Sequence, residues 1–244
     1  MMNLIIDIGN TATKLAVFQS DKILEVQAVP TKGMVSKVEK ILEKHPEIIQ
    51  GVLSSVVFLE PSTINSLLKL LPVKVLDSSF RMPFNNCYET PHSLGVDRLA
   101  LVAAAVKHHP KTNVLVIDAG SCITYDFIDA EQNYLGGAIS PGLQLRYKSL
   151  KAFTSNLPLL DKITPNQRIG NSTDASIHSG VVHGVAHEIE GTIEVYQNKY
   201  SDLTVILTGG DADFLCKQFK ISIFANSNFL LEGLNFLLEF NSYE

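Results

Sequence analysis

One pattern, D-x-G-[NS]-x-x-T, occurs twice, at Asp7–Thr13 and at Asp118–Thr124. Leu4, Ile5 and Ile6 lead into the first copy, and Val114 to Ile117 lead into the second. Strand-like alternation resumes after each, through Leu15, Val17 and Phe18 and through Tyr125, Phe127 and Ile128. An apolar run, a polar turn and a second run predict a β-hairpin with a carboxylate at its mouth. Gly9 can take the positive φ of a tight turn. Asn10, Thr11 and Thr13 crowd that turn with hydrogen-bond donors suited to phosphate oxygens. Asp7 cannot bind phosphate itself but can hold a hydrated Mg²⁺ beside one. A single copy is explained equally well by an Asx-type turn capping a hairpin. A second copy almost half a chain away points to two similar domains. A third fragment, Thr208–Asp211, follows an apolar strand and opens a helix, where Gly209 and Gly210 let backbone approach a ring or a sugar.

Composition narrows the function classes. The 244 residues are 45% hydrophobic and 18% charged, ordinary for a globular chain with ample core material. A formal net charge of -5 with no Lys/Arg run argues against nucleic-acid or membrane-surface binding. Cys87, Cys122 and Cys216 are scattered, so neither a disulfide framework nor a zinc site is expected. The N-terminus enters a strand without a basic or cleavage-like segment, and the longest apolar run, Leu99 to Val106, is too short to span a bilayer. A cytoplasmic location is expected.

Periodicity gives strands at about 3–9, 12–19 and 22–29, a helix at Met34–Lys44, a strand at Gly51–Val57, a helix at Pro61–Leu71 and a strand at Val73–Leu76. An aperiodic stretch, Phe80 to Leu94, then leads into an apolar helix to His109 and reads as a site wall. From Asn113 the order restarts with three strands, a helix from about Leu143 and a long helix at Ser172–Lys199. Strand, helix, strand and helix follow at 203–208, 211–218, 221–225 and 228–239. Two α/β domains, 1–112 and 113–244, are expected.

Neither G-x-x-x-x-G-K-[ST] nor G-x-G-x-x-G is present, so phosphate binding would rest on hairpin turns. Five stretches carry a resemblance over the whole chain: DIGNTATK (Asp7–Lys14), YETPHSLGVDR (Tyr88–Arg98), DAGSCITYD (Asp118–Asp126), GGAISPGL (Gly136–Leu143) and GNSTDASIHSG (Gly170–Gly180). In this order they resemble type III pantothenate kinase, within the superfamily of acetate kinase, sugar kinases, heat-shock ATPases and actin. The resemblance implies two duplicated actin-like, ribonuclease H-like domains. It also implies phosphorylation of pantothenate by ATP with a divalent cation such as Mg²⁺ and with K⁺ or NH₄⁺, in a homodimer.

By the same resemblance Asp7, Ile8, Gly9, Asn10, Thr11, Ala12, Thr13 and Lys14 hold the ATP phosphates, Asp7 lies near the metal, and Ser121 adds a phosphate contact. Tyr88, Gly95, Val96, Asp97, Arg98 and Thr173 bind pantothenate, Asp97 is the general base, and Asp118 ligates the monovalent cation. Ser121 and Cys122 stand where the family usually has Thr and Ala, and Ala12 stands where many members have Arg.

The chemistry is coherent with these residue types. Phosphoryl transfer needs held phosphates, neutralised charge and an in-line acceptor hydroxyl. Asp97, at a helix start, is either an N-cap or a base for that hydroxyl. Arg98 cannot reach Asp97 along the helix, leaving it to fork onto a carboxylate or to lie solvated. His183 and His187, four apart, lack a third ligand for a metal. Val181, Val185, Ile189 and Ile193 form a packing stripe, while Gly180 and Gly184 would admit another backbone, a partner subunit's among them. Cys122 reads as a small core residue. Two other functions remain open: a kinase for another small hydroxylated acceptor, and a non-catalytic regulator of the Bvg accessory factor type.

Overall fold

The computed structural model describes residues 1–77, 79–219 and 223–242. The chain begins with β1 (Met2–Ile8), β2 (Thr13–Gln19), β3 (Lys22–Val29), α1 (Met34–Lys44), β4 (Ile48–Ser55), α2 (Pro61–Leu70) and β5 (Val73–Val75). A two-residue β6 (Asn85–Asn86), a 3-10 turn at Pro91–Ser93 and α3 (Val96–His108) follow. Then come β7 (Val114–Ala119), β8 (Cys122–Ile128), β9 (Asn133–Pro141), α4 (Leu143–Ala152) and α5 (Thr173–Lys199). The described chain ends with β10 (Thr204–Thr208), α6 (Ala212–Cys216), β11 (Phe224–Ala225) and α7 (Phe229–Phe240).

These elements form two units, one of Met1–Pro110 with Gln132–Tyr134 and the segment from Phe229, the other of Lys111–Glu131 with Leu135–Asn228. The strand order is β3-β2-β1-β4-β5 in the first and β9-β8-β7-β10-β11 in the second. In the first, β1 pairs antiparallel with β2 and parallel with β4. In the second, β7 pairs antiparallel with β8 and parallel with β10. The outer strands β5 and β11 each add in parallel. The repeated pattern is thus the first hairpin of two equivalent sheets.

The burial follows the sequence. Leu4, Ile5 and Ile6 on central β1 are fully buried, as a strand covered on both faces requires, while edge strand β3 alternates exposed and half-buried. In the first unit Leu4, Ile6, Ile8, Leu15 and Val17 pack against Met34, Val38 and Ile41 of α1. In the second, Leu115, Ile117, Tyr125 and Phe127 pack against Val181, Val185, Ile189 and Ile193, the expected stripe of α5. Among the described residues no helix is long and apolar enough to cross a membrane.

Several boundaries differ from the periodicity. β4 starts at Ile48, which pairs with Met2, and ends at Ser55, whose hydroxyl folds onto Val57 and takes the chain out of the sheet. The stretch from Phe80 to Leu94 contains β6 and a 3-10 turn, both too short to show a period. The first part of the strand expected at 221–225 lies outside the described residues, and β11 covers Phe224 and Ala225.

The sequence-based division at 112/113 assigns the C-terminal helix to the second domain, whereas α7 packs on α3 in the first unit. Helix α3 has an unbroken buried run from Arg98 to Ala105, and α7, whose Leu231, Leu234, Leu237 and Leu238 are buried, packs on it and on β1 and β4. Asn235, fully buried on α7, accepts from the Asn3 side-chain amide at 2.8 Å and donates to the Ser20 carbonyl at 3.0 Å. The helices touch at Gly233, where a Cβ would lie 1.9 Å from the Ala100 carbonyl oxygen. No rotamer relieves a clash made by Cβ itself, so Gly233→Leu forces the helices apart. We expect a loss of about 3 kcal/mol, the upper end of overpacking, and a fall in Tm of roughly 6–12 °C by thermal denaturation. An unchanged Tm would contradict this packing.

Candidate active site

Across the first hairpin, Asp7 is opposite Lys14 and Ile8 opposite Thr13, and the turn closes with Gly9 N–H donating to the Ala12 carbonyl at 3.1 Å. Gly9 does not adopt the positive φ expected of it, because a four-residue closure turns the chain without it. Asn10 and Thr11 are exposed at the tip and Ala12 is half-buried. Thr13 is fully buried and its hydroxyl shares a 3.1 Å hydrogen bond with that of Thr31, so its side chain points into the unit. That leaves the tip residues, Asp7, Lys14 and the backbone, rather than the Thr13 hydroxyl, to meet a ligand here.

Asp7 is 7% exposed, and its pKa is pushed up to about 6. Burial is the main cause; Lys14 works against it, and the Asp97 carboxylate adds to it. The buried Ser54 hydroxyl, opposite Asp7 on β4, slightly favours the ionised form without making a well-aligned hydrogen bond. Asp7, Lys14 and Asp97 are therefore one electrostatic group within the first unit.

Asp97 is the second residue of α3, and Gly95 is the N-cap, so Asp97 is not the cap. Its Oδ1 accepts from the Arg98 backbone N–H at 2.8 Å. The helix N-terminus favours a carboxylate there. Gly95 makes room for it: a Cβ at Gly95 would lie 2.4 Å from that oxygen. The Arg98 guanidinium, on a residue only 5% exposed, lies over the Tyr88 ring at 5.5 Å. Tyr88, Asp97 and Arg98 thus assemble in the same unit as Asp7 and Lys14. Sequence reasoning missed Tyr134, which stacks on Tyr88; an aromatic residue in a strand beside Gly136 and Gly137 was its only signal.

In the second unit Asp118 is opposite Thr124 across the β7–β8 hairpin, and Ser121 is exposed at its turn. Gly209 after β10 has φ +96°, and a Cβ on it would lie 2.3 Å from Asp118 Oδ1 and 2.4 Å from the Ala119 carbonyl oxygen. Only glycine fits on both counts. The third fragment therefore closes over the Asp118 carboxylate, with Asp211 N–H donating to the Ala119 carbonyl at 2.9 Å.

The Gly142 N–H, at the start of α4, donates to the Ser121 carbonyl at 3.1 Å. One turn on, Arg146 donates to the Pro141 carbonyl at 2.9 Å and to Glu188 at 2.5 Å, and Tyr125 donates to the same carboxylate at 2.9 Å. Burial acts to raise the Glu188 pKa, but hydrogen bonds from Arg146, Ser140 and Tyr125 outweigh it and hold the carboxyl below its ordinary range. This network, which no sequence spacing announces, fixes the helix whose N-terminus bonds the Ser121 turn.

Thr173 is exposed at the first position of α5, whose Ser172 cap accepts from Ala175 N–H at 3.2 Å. It lines a cavity of about 870 Å³ together with Arg146, Leu150, Leu157, Asn171 and Ile177, none of them from the hairpin. His187 hydrogen-bonds Arg168 at 2.8 Å, and burial together with that guanidinium and the second imidazole lowers the His183 pKa. A guanidinium beside both rings disfavours a metal cation. Cys122 is exposed, not the small core residue expected, because it opens β8 at the hairpin turn, and the strand becomes buried on both faces only from Tyr125 on.

Comparison with known proteins fits this arrangement. The sequence profile of type III pantothenate kinase matches residues 3–195. A type III pantothenate kinase of Christiangramia forsetii is 52% identical over 98% of this chain and 99% of its own. One from Bacteroides fragilis is 41% identical over 99% of each chain. Among solved structures, a Campylobacter jejuni protein described as a member of the Baf family of transcriptional activators aligns with TM-score 0.62 at 22% identity over 98% of each chain. The glucokinase of an Antarctic psychrotroph aligns with TM-score 0.52 at 12% identity over 99% of each chain. These structural likenesses show the fold, a duplicated actin-like α/β architecture shared with sugar kinases. The sequence likeness goes further: this chain belongs to the type III pantothenate kinase family.

Proposed function

We propose that this chain transfers the γ-phosphoryl group of ATP to the 4'-hydroxyl of pantothenate, the first step of coenzyme A synthesis. The observation that carries the reading is the assembly of Asp7, Lys14 and Asp97 as one electrostatic group in the unit that also holds the Tyr88–Arg98 pair. In this reading the Asp7–Lys14 hairpin holds the ATP phosphates through its exposed tip, and Ser121 adds a second contact. Tyr88, Gly95, Val96, Arg98 and Thr173 bind pantothenate, with the Arg98 fork on its carboxylate. Asp97 accepts the proton of the 4'-hydroxyl as that oxygen attacks.

The residues fit the cations the family uses. Among the described residues no cluster of three or more His, Cys, Asp or Glu could hold a metal alone. Mg²⁺ in kinases takes one or two carboxylates and completes its shell with phosphates and water, so Asp7 beside a turn that holds the phosphates is a sufficient protein ligand. Asp118 and the Ala119 carbonyl, both close against Gly209, are oxygen donors of the kind suited to K⁺ or NH₄⁺. Such ions supply charge neutralisation at the transferring phosphate. The assembly is a homodimer in this reading, supported by the open space at Gly180 and Gly184 on α5. The site lies in the cytoplasm, where ATP and pantothenate meet.

An acceptor panel tests the assignment. ADP formation from ATP and Mg²⁺ should depend on pantothenate, while glucose, N-acetylmannosamine and acetate give background. Turnover with a sugar but not pantothenate would overturn it.

A further inference from the structure

Resting on the pantothenate reading, we infer that Tyr134 is a positioning residue that sets Arg98 for the acceptor's carboxylate through a continuous aromatic stack. Three observations within the first unit carry the inference. The Arg98 guanidinium lies 5.5 Å over the Tyr88 ring. Tyr88 stacks on Tyr134 with ring centroids 6.2 Å apart and planes 13° from parallel. Tyr134 meets Phe84 edge-on at 6.1 Å and 69°. Tyr134 is fully buried and Phe84 9% exposed, so the far end of the stack is fixed by packing while the near end carries the cation. Offset-stacked and edge-on rings at these separations are attractive geometries, and a guanidinium over a tyrosine face is held by the ring's quadrupole.

The backbone places the rings as deliberately as the side chains do. The β6 residues Asn85 and Asn86 pair with Asn133 and Tyr134. Asn85 N–H donates to the Gln132 carbonyl at 2.9 Å, and Cys87 N–H donates to the Tyr134 carbonyl at 3.0 Å. Asn85 and Asn133 join through their side-chain amides at 3.0 Å, and the Asn86 side chain accepts from Tyr88 N–H at 3.0 Å. Tyr134 therefore holds the segment that delivers Tyr88 as well as the Tyr88 ring. An arginine held this way keeps its fork in one plane, and a planar carboxylate needs that for two parallel hydrogen bonds.

The test is a double-variant cycle on the intact enzyme. Tyr134→Leu should raise KM for pantothenate about 5- to 12-fold, the upper part of the range for one aromatic pair. It should leave kcat and KM for ATP within about two-fold. Tyr134→Phe, which keeps the ring, should stay within about three-fold of wild type. In a Tyr88→Leu background Tyr134→Leu should add little, because the link it acts through is already gone. Equal rises in both KM values, a fall confined to kcat, or full multiplication of the two effects would overturn the inference. If Tyr134→Leu does not fold, Phe84→Leu loosens the same ring and must give the same KM split. If the wild type uses another acceptor instead, the pantothenate assignment fails, and the same cycle run on that acceptor decides the role of Tyr134.

Discussion

Asp97→Asn is expected to lower kcat by about 10²- to 10⁴-fold, the range for losing a positioned general base, with the fold intact. The substitution separates chemistry from structure because of how Asp97 is held. Its Oδ1 accepts the Arg98 backbone N–H, and an asparagine carbonyl in the same place accepts it equally well. The space over Gly95 is also filled as before. Asp97 is not the cap of α3, so no helix end is lost. Asparagine lacks only the ability to take the acceptor's proton. KM for ATP should change little, and Tm should stay within about 2 °C, since surface-accessible substitutions that keep their hydrogen bond cost little. A kcat near wild type would leave Asp97 as a helix-start residue and nothing more.

Replacing Asp118 with Asn should weaken activation by K⁺ and raise the apparent KM for ATP about ten-fold, the effect of losing roughly 1.4 kcal/mol of ion and nucleotide binding. The duplicated sheets place Asp118 where the first unit has Asp7, at the end of the central strand. One nucleotide needs one such carboxylate for its Mg²⁺, so the second is available to another cation. The surroundings differ accordingly. Asp7 sits against a lysine and a second carboxylate, whereas Asp118 sits under Gly209 and beside a carbonyl oxygen. If Asp118 served only the hairpin turn, asparagine, an equally good turn former, would be silent. Titrating K⁺ against Na⁺ on both proteins separates these outcomes: full activity in Na⁺ alone, or the same K⁺ response in the variant, would refute the cation role.

The sheets were legible because their signals are local. An apolar run ending in D-x-G marks a central strand and its hairpin, and Val35, Val38, Ile41 and Leu42 at helical spacing mark α1 with its observed ends. What stayed hidden depends on partners far along the chain. That α7 covers α3 follows from Gly233 meeting Ala100, two positions unrelated by any period. That Thr13 turns inward follows from Thr31. The site divides in the same way. Asp7, Asp97, Arg98 and Asp118 stand in recognisable motifs, but the stack through Tyr134 and the clamp of Arg146 and Tyr125 on Glu188 join strands to distant loops and helices. Those contacts are products of topology, and spacing within one element cannot show them.

Identification of the product tests the assignment most directly. Purified protein with ATP, Mg²⁺, K⁺ and pantothenate, followed by phosphorus NMR and mass spectrometry, should yield pantothenate phosphorylated at the 4'-oxygen with one ADP for each molecule formed. ADP released without phosphorylated pantothenate, or phosphate found on the carboxylate instead of the 4'-oxygen, would contradict it.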